Sequence, residues 1–71
     1  MKRQYGFVAW RSEGLWTVHS PSIPGVYGVG KTVEEAREDF IAAASDMVEY
    51  LAEIGEPPPR PADMCVGQVE L

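Results

Sequence analysis

One amphipathic segment, residues 33–54, most constrains how this chain of 71 residues folds. Its apolar residues recur at steps of three and four, which predicts a helix with a single buried stripe. A helix of this length spans about 33 Å, so it can cover one face of a small sheet. The predicted stripe consists of Val33, Ala36, Phe40, Ala44, Met47, Leu51 and Ile54.

Local signals mark both ends of this helix. Thr32, followed three positions later by Glu35, predicts a capping box, in which each side chain accepts a hydrogen bond from a backbone amide at the helix start. Gly55 favours the left-handed conformation that ends helices, and the prolines that follow Glu56 prevent continuation. The sequence therefore predicts one helix over about residues 33–54.

The rest of the chain is patterned as strands. Residues 4–11 and 15–20 are rich in aromatic and β-branched side chains and flank a short glycine-containing loop, which predicts a β-hairpin. Residues 26–29 follow as a third strand, and the alternating residues 64–71 predict a fourth strand with one buried face. The order β-β-β-α-β predicts a single α+β domain over residues 1–71, with one helix packed on a small, mainly antiparallel sheet.

The overall charge restricts the partners. A net charge of −5 and a pI near 4.6 argue against direct DNA binding and suit a basic protein partner. One cysteine cannot form an internal disulfide, and no apolar N-terminal segment resembles a signal peptide or a membrane span. We therefore expect a cytoplasmic protein. A domain this small without disulfides or a metal cluster gains stability from oligomerisation.

Residues 25–32 also match the phosphate-binding pattern G-x-x-x-x-G-K-T. A working P-loop follows a buried parallel strand, whereas Pro21 and Pro24 precede this match and exclude a central strand there. The favoured interpretation is a turn at Pro24-Gly25, a short strand and the helix cap, with Lys31 as a solvated loop charge. Nucleotide binding through this segment remains a remote alternative.

Both faces of the predicted hairpin carry large apolar side chains. Tyr5 and Phe7 lie on one face and Val8 and Trp10 on the other, yet a single helix covers only one face. We therefore expect a homodimer or higher even oligomer, or a partner protein, to cover the second face.

Two groups of side chains are candidates for an interface. Trp10 and Trp16 are candidates because tryptophan is enriched at binding hot spots, with core packing as the alternative for each. Acidic residues on the helix could dock a basic partner, with a solvated face as the alternative. The candidates on the helix are Glu38, Glu49 and Glu53.

The motifs occur in an order that resembles the HicB family of antitoxins. The turn over residues 22–25, the segment 30–36 (GKTVEEA), Tyr50-Leu51, Gly55-Glu56 and the following prolines carry the resemblance, which spans essentially the whole chain. The resemblance implies a partial RNase H-like fold with the order β-β-β-α-β. The family-motif positions, all with structural roles, are Pro24, Gly25, Gly30, Thr32, Glu35 and Ala36.

The same resemblance implies a function. HicB proteins neutralise HicA, an mRNA-cleaving toxin, by binding it directly, and many repress their own operon through an appended DNA-binding domain. This chain stops at Leu71 without such a domain, so operator binding is not expected. A stand-alone oligomeric relative with a structural or regulatory role and no cognate toxin is the open alternative.

Catalysis is not expected. Metal-dependent nucleases of the RNase H type hold their ions with clustered carboxylates, but the first predicted strand has none and Glu70 is the only acidic residue of the last. His19 is expected to be a half-exposed strand residue, and Cys65 a small buried one. The sequence therefore predicts neither a metal site nor a cofactor site.

Overall fold

A computed structural model describes residues 3–71, in which three strands precede one helix. The strands form an antiparallel sheet in the order β1-β2-β3, and the helix packs on one face of that sheet. The predicted α+β class, with one helix on a small antiparallel sheet, is confirmed. The elements are β1 (Val8–Ser12), β2 (Leu15–His19), β3 (Tyr27–Gly30) and α1 (Val33–Glu53).

A two-residue loop sets the register of the hairpin. Glu13 and Gly14 have φ angles of 53° and 82°, and two positive φ values form the turn whose twist matches that of the flanking strands. Val8 pairs with His19, the last residue of β2, and Ser20 then begins a turn in which its carbonyl accepts a hydrogen bond from Ile23 N at 3.0 Å. Residues 4–7 therefore have no partner on β2, and β1 begins later than residue 4.

The capping box at the start of α1 differs by one residue from the prediction. Thr32 Oγ1 accepts a hydrogen bond from Glu35 N at 3.1 Å, as expected for the N-cap. Glu35 Oε2 accepts from Lys31 N at 2.9 Å, one residue before the expected amide. Both side chains nevertheless satisfy backbone donors at the helix start.

The end of α1 follows the predicted glycine signal. Glu56 N donates to Leu51 O at 2.8 Å and Gly55 N donates to Ala52 O at 3.2 Å, while Gly55 has a φ of 79°. This pair of hydrogen bonds is the Schellman motif. The apolar stripe extends past the sheet, so Ile54 is exposed rather than buried.

The core lies between β2, β3 and the first half of α1. Gly28 and Gly30 face the helix and allow its backbone to lie directly on β3: a Cβ on Gly30 would be 2.6 Å from Ala36 N, and one on Gly28 would overlap Ala36 O. The buried apolar residues are Val18, Ile23, Ala36, Phe40 and Ala44, and Tyr5, Ala9, Trp16, Val26 and Met47 pack against them.

The predicted fourth strand at residues 64–71 is wrong for this chain. No strand forms there, and both Cys65, predicted to be buried, and its neighbour Val66 are exposed. The preceding segment is held against the N-terminal part of the chain: Tyr5 Oη donates to Pro59 O, and Ala62 N donates to Ser22 Oγ. Alternation makes a segment able to form a strand, but it does not by itself bring that segment alongside an edge of the sheet.

Candidate protein-binding face

The sheet face opposite α1 is apolar and has no covering layer within residues 3–71. Residues paired across antiparallel strands share a face. The pairs Val8–His19, Trp10–Thr17 and Thr17–Val29 therefore place one set of side chains opposite the helix, which packs against Val18. We call this set the outer face; it consists of Val8, Trp10, Ser12, Leu15, Thr17, His19, Tyr27 and Val29.

An aromatic row runs across all three strands of the outer face. The His19 ring lies 5.7 Å from the Trp10 ring and 5.3 Å from the Tyr27 ring, measured between centroids, with interplanar angles of 90° and 80°. Edge-to-face pairs of this kind hold ring orientations. Trp10 is still 43% exposed and Tyr27 54% exposed, so the row presents apolar surface that is already ordered. Ordered aromatic surface is typical of protein interfaces.

The two tryptophans lie on opposite faces of the sheet. Trp10 is exposed on the outer face, whereas Trp16 is half-buried on the helix side and packs against the core. They therefore cannot belong to one continuous interface. Trp10 keeps its role as a candidate interface residue, and core packing accounts for Trp16.

The predicted acidic residues lie on a third surface. Glu38, Glu49 and Glu53 are exposed on α1, on the side away from the buried Ala36 and Phe40. The sheet separates them from the outer face, so the structure does not bring them together with Trp10. Their negative charge contributes to the electrostatic field around the molecule, but these residues do not take part in the surface that the aromatic row forms.

The predicted family-motif residues lie in the turn before β3 and at the junction between β3 and α1. Gly25 has a φ of 85° in the turn before β3, and the exposed Pro24 precedes it. Thr32 caps the helix, and Ala36 is fully buried where the helix meets β3. Together with Gly30 and Glu35, described above, these residues build the connection between sheet and helix.

The segment that matches a P-loop has a different structure. Residues 27–30 are strand β3, not a loop around a phosphate. Asp39 Oδ2 accepts a hydrogen bond from Val29 N at 3.0 Å, and Glu35 Oε2 accepts one from Lys31 N. Because a P-loop offers such amides to phosphate oxygens, two carboxylates at these positions repel a nucleotide. The nucleotide-binding alternative therefore has no structural support.

Sequence reasoning missed Tyr27 as a member of the outer face and treated His19 only as a half-exposed strand residue. His19 is half-buried, as expected, but it is also the centre of the aromatic row. The signal for Tyr27 was present in the sequence, since Tyr27 and Val29 alternate with Gly28 and Gly30. Glycines on one face leave the large residues on the other.

Comparison of the chain with protein-family models, with curated proteins and with solved structures finds no match. Among residues 3–71, no three His, Cys, Asp or Glu side chains are grouped in a way that could hold a metal ion. Within the same residues, α1 is not apolar enough to cross a membrane. The outer face is therefore the strongest candidate for a functional surface in the part of the chain that the structure describes.

Proposed function

We propose that this chain is a protein-binding module of the HicB-like antitoxin type, which neutralises a HicA-like, mRNA-cleaving toxin by binding it directly. The observation that carries the proposal is the outer face, where three strands present half-exposed aromatic and aliphatic side chains. A patch of this kind on so small a domain is typical of a surface that binds another protein.

Charge supports a basic partner. The chain carries a net charge of −5, and Glu38, Glu49 and Glu53 are exposed on α1. An RNA-cleaving protein needs basic surface to hold phosphates, so the two proteins attract each other during approach. Attraction between exposed charges is screened within about 8–10 Å at physiological ionic strength, so the association rate should fall as salt is added.

The resemblance to HicB supports the choice of partner. Four of its motif residues, Gly30, Thr32, Glu35 and Ala36, lie at the junction of β3 and α1, where they set how the helix packs on the sheet. Neutralisation then requires only that the outer face of the module occupy the toxin surface. We also propose that this module has the partial RNase H-like fold of the family.

The stand-alone oligomer is the second candidate, and the same observation favours it. An outer face is self-complementary if two copies stack their aromatic rows across a two-fold axis. In that case the module has a structural or regulatory role and no toxin.

Titration of a HicA-like ribonuclease encoded in the same genome tests the proposal. We expect RNA cleavage to stop at about one equivalent of this protein, with or without divalent metal, because a bound partner blocks the toxin stoichiometrically. Trp10→Asp should abolish inhibition, since it places a charge in the aromatic row of the outer face. Ala42→Asp is the matched control, because Ala42 is exposed on α1 on the opposite side of the molecule.

The outcomes separate the two candidates. If the toxin stays fully active at excess protein, the antitoxin function is excluded. If the protein also forms dimers that Trp10→Asp dissociates and Ala42→Asp does not, the stand-alone oligomer is supported instead.

A further inference from the structure

The last seven residues, Cys65–Leu71, which we call the tail, contact no surface that buries them. Val66 is 70% exposed and Val69 is 84% exposed, although they belong to opposite faces of an alternating segment. The residues just before the tail are fixed: Met64 packs on Gly6, where a Cβ would collide with its Sδ, and Ala62 N is bonded to Ser22 Oγ at 3.0 Å. The tail therefore leaves an anchored point and exposes apolar side chains on both of its sides.

The two edges of the sheet differ in how they are protected. On β3, carboxylates of Asp39 and Glu35 accept hydrogen bonds from the outward amides of Val29 and Lys31. Native proteins cap edges in such ways to prevent further strand pairing. Of the two edge strands, only β1 can therefore offer unprotected backbone groups to another strand.

At β1 the outward backbone groups are open. Residues that flank a two-residue hairpin loop exchange backbone hydrogen bonds. The backbone N–H and C=O groups of Ser12, and of every second residue before it, therefore point toward β2, whereas those of Ala9 and Arg11 point away from it. Within residues 3–71, β1 pairs only with β2, and neither amide has a carboxylate cap like those on β3. The β1 edge is thus able to accept an extended segment.

An apolar groove lies on the helix side, next to the chain that leads into β1. It has a volume of about 880 Å³, and two of its lining side chains, Phe7 and Ile41, are large, apolar and exposed. Arg3 and Arg37 also line it, and the Arg37 guanidinium lies 5.8 Å from the centre of the Phe7 ring. Glu49 lines it as well, so the groove carries charges of both signs, and the remaining apolar and aromatic lining comes from Tyr5, Ile23, Phe40, Ala44, Val48 and Pro58.

We propose that the tail of one copy docks in extended conformation along the β1 edge of a second copy, and that the second copy returns its own tail in the same way. Main-chain hydrogen bonds to Ala9 and Arg11 hold the tail, and its alternate side chains Val69 and Leu71 fill the groove. This is strand addition to a free sheet edge, made reciprocal by a two-fold axis. It is independent of the antitoxin function and does not use the outer face.

Three features identify a second copy as the occupant. The tail is long enough, because seven extended residues span about 23 Å and β1 has five residues. Its alternate residues Val69 and Leu71 are both exposed in the structure, so the tail offers an unburied apolar side to the groove. The proline-rich connector is stiff and is anchored up to Met64, and in this arrangement the tail lies off its own β1 edge.

Analytical ultracentrifugation of the full-length chain and two aspartate variants tests the pairing. We expect a dimer whose dissociation constant rises about 100-fold in Val69→Asp and in Ile41→Asp, because each replaces an apolar contact in the groove with a charge that must lose its water. Ala42→Asp adds the same charge to the exposed side of α1 and should leave the dimer unchanged. Circular dichroism establishes that each variant keeps the fold.

Isotope-mixing NMR then identifies which chain supplies the tail. In a sample of equal parts ¹³C-labelled and unlabelled protein, filtered spectra should show contacts between the Val69 and Leu71 methyl groups of one chain and Phe7 or Ile41 of the other. A monomer at all concentrations, tail contacts confined to one chain, or a dimer that Trp10→Asp dissociates and Val69→Asp does not would each overturn the proposal.

Discussion

The close approach of α1 to β3 makes Gly28 the most sensitive backbone position in this fold. A Cβ added at Gly28 meets atoms of two helix residues, including the Phe40 Cβ at 2.6 Å and the backbone of Ala36. Backbone atoms cannot rotate away as a side chain can. Gly28→Ala must therefore lift the helix from the sheet and loosen the packing of Val18 and Phe40.

The expected cost follows from two opposing terms. Replacing glycine by alanine stabilises a compatible position by about 0.4–1 kcal/mol through the unfolded state, whereas overpacking a core costs about 1–3 kcal/mol or more. Because the helix backbone itself has to move, we expect Gly28→Ala to lower the free energy of unfolding by about 2 kcal/mol. For 71 residues the unfolding entropy is about 150 cal/mol/K, so Tm should fall by roughly 13 °C.

Two other glycines provide matched controls for Gly28→Ala. Nothing lies within 4 Å of a Cβ at Gly67, and a Cβ at Gly6 meets only the flexible end of Met64. Thermal and urea denaturation at one fixed protein concentration should show Gly67→Ala within about 0.5 kcal/mol of the parent, with Gly6→Ala between the two. If Gly28→Ala were as stable as Gly67→Ala, the helix would not lie on β3 as described.

Three further predictions concern single side chains. Thr32→Ala should cost about 1 kcal/mol of unfolding free energy in urea denaturation, because it removes the N-cap hydrogen bond to Glu35 N; an unchanged midpoint would contradict this role for Thr32. Trp16→Ala should cost about 2 kcal/mol, since it removes part of the core, whereas Trp10→Ala should change stability less and weaken binding more. Equal losses of stability in the two tryptophan variants would refute their assignment to opposite faces. Lys31→Ala should stay within about 0.5 kcal/mol of the parent, and calorimetry with ATP and magnesium should show no saturable heat; binding lost in this variant would restore the nucleotide alternative.

Short-range signals predicted the helix almost to the residue. Its N-cap, its glycine stop and its apolar spacing all act within a turn or two of the chain, and α1 ends at Glu53, one residue before the predicted end. The hairpin was equally local, because two residues of positive φ, Glu13 and Gly14, set its register. Elements whose stability depends on neighbours in sequence can be predicted without the fold.

The interface candidates were harder to predict because their positions depend on the sheet. Trp10 and Trp16 were both interface candidates, and only the strand pairing and the packing of α1 against Val18 show which of them remains exposed. Tyr27 joined Trp10 and His19 across three strands, and a contact between strands depends on a register that no single strand encodes.

The sequence by itself determined the class of fold, the ends of α1, the hairpin turn and the presence of more apolar strand surface than one helix covers. Tertiary structure decided which tryptophan is exposed, why Gly28 is required and where residues 64–71 lie. The physical reason is the range of the interactions. Caps, turns and periodicity involve residues that are close in the chain, whereas a strand forms only where its backbone groups lie alongside another edge, and the tail pairs with no strand among residues 3–71.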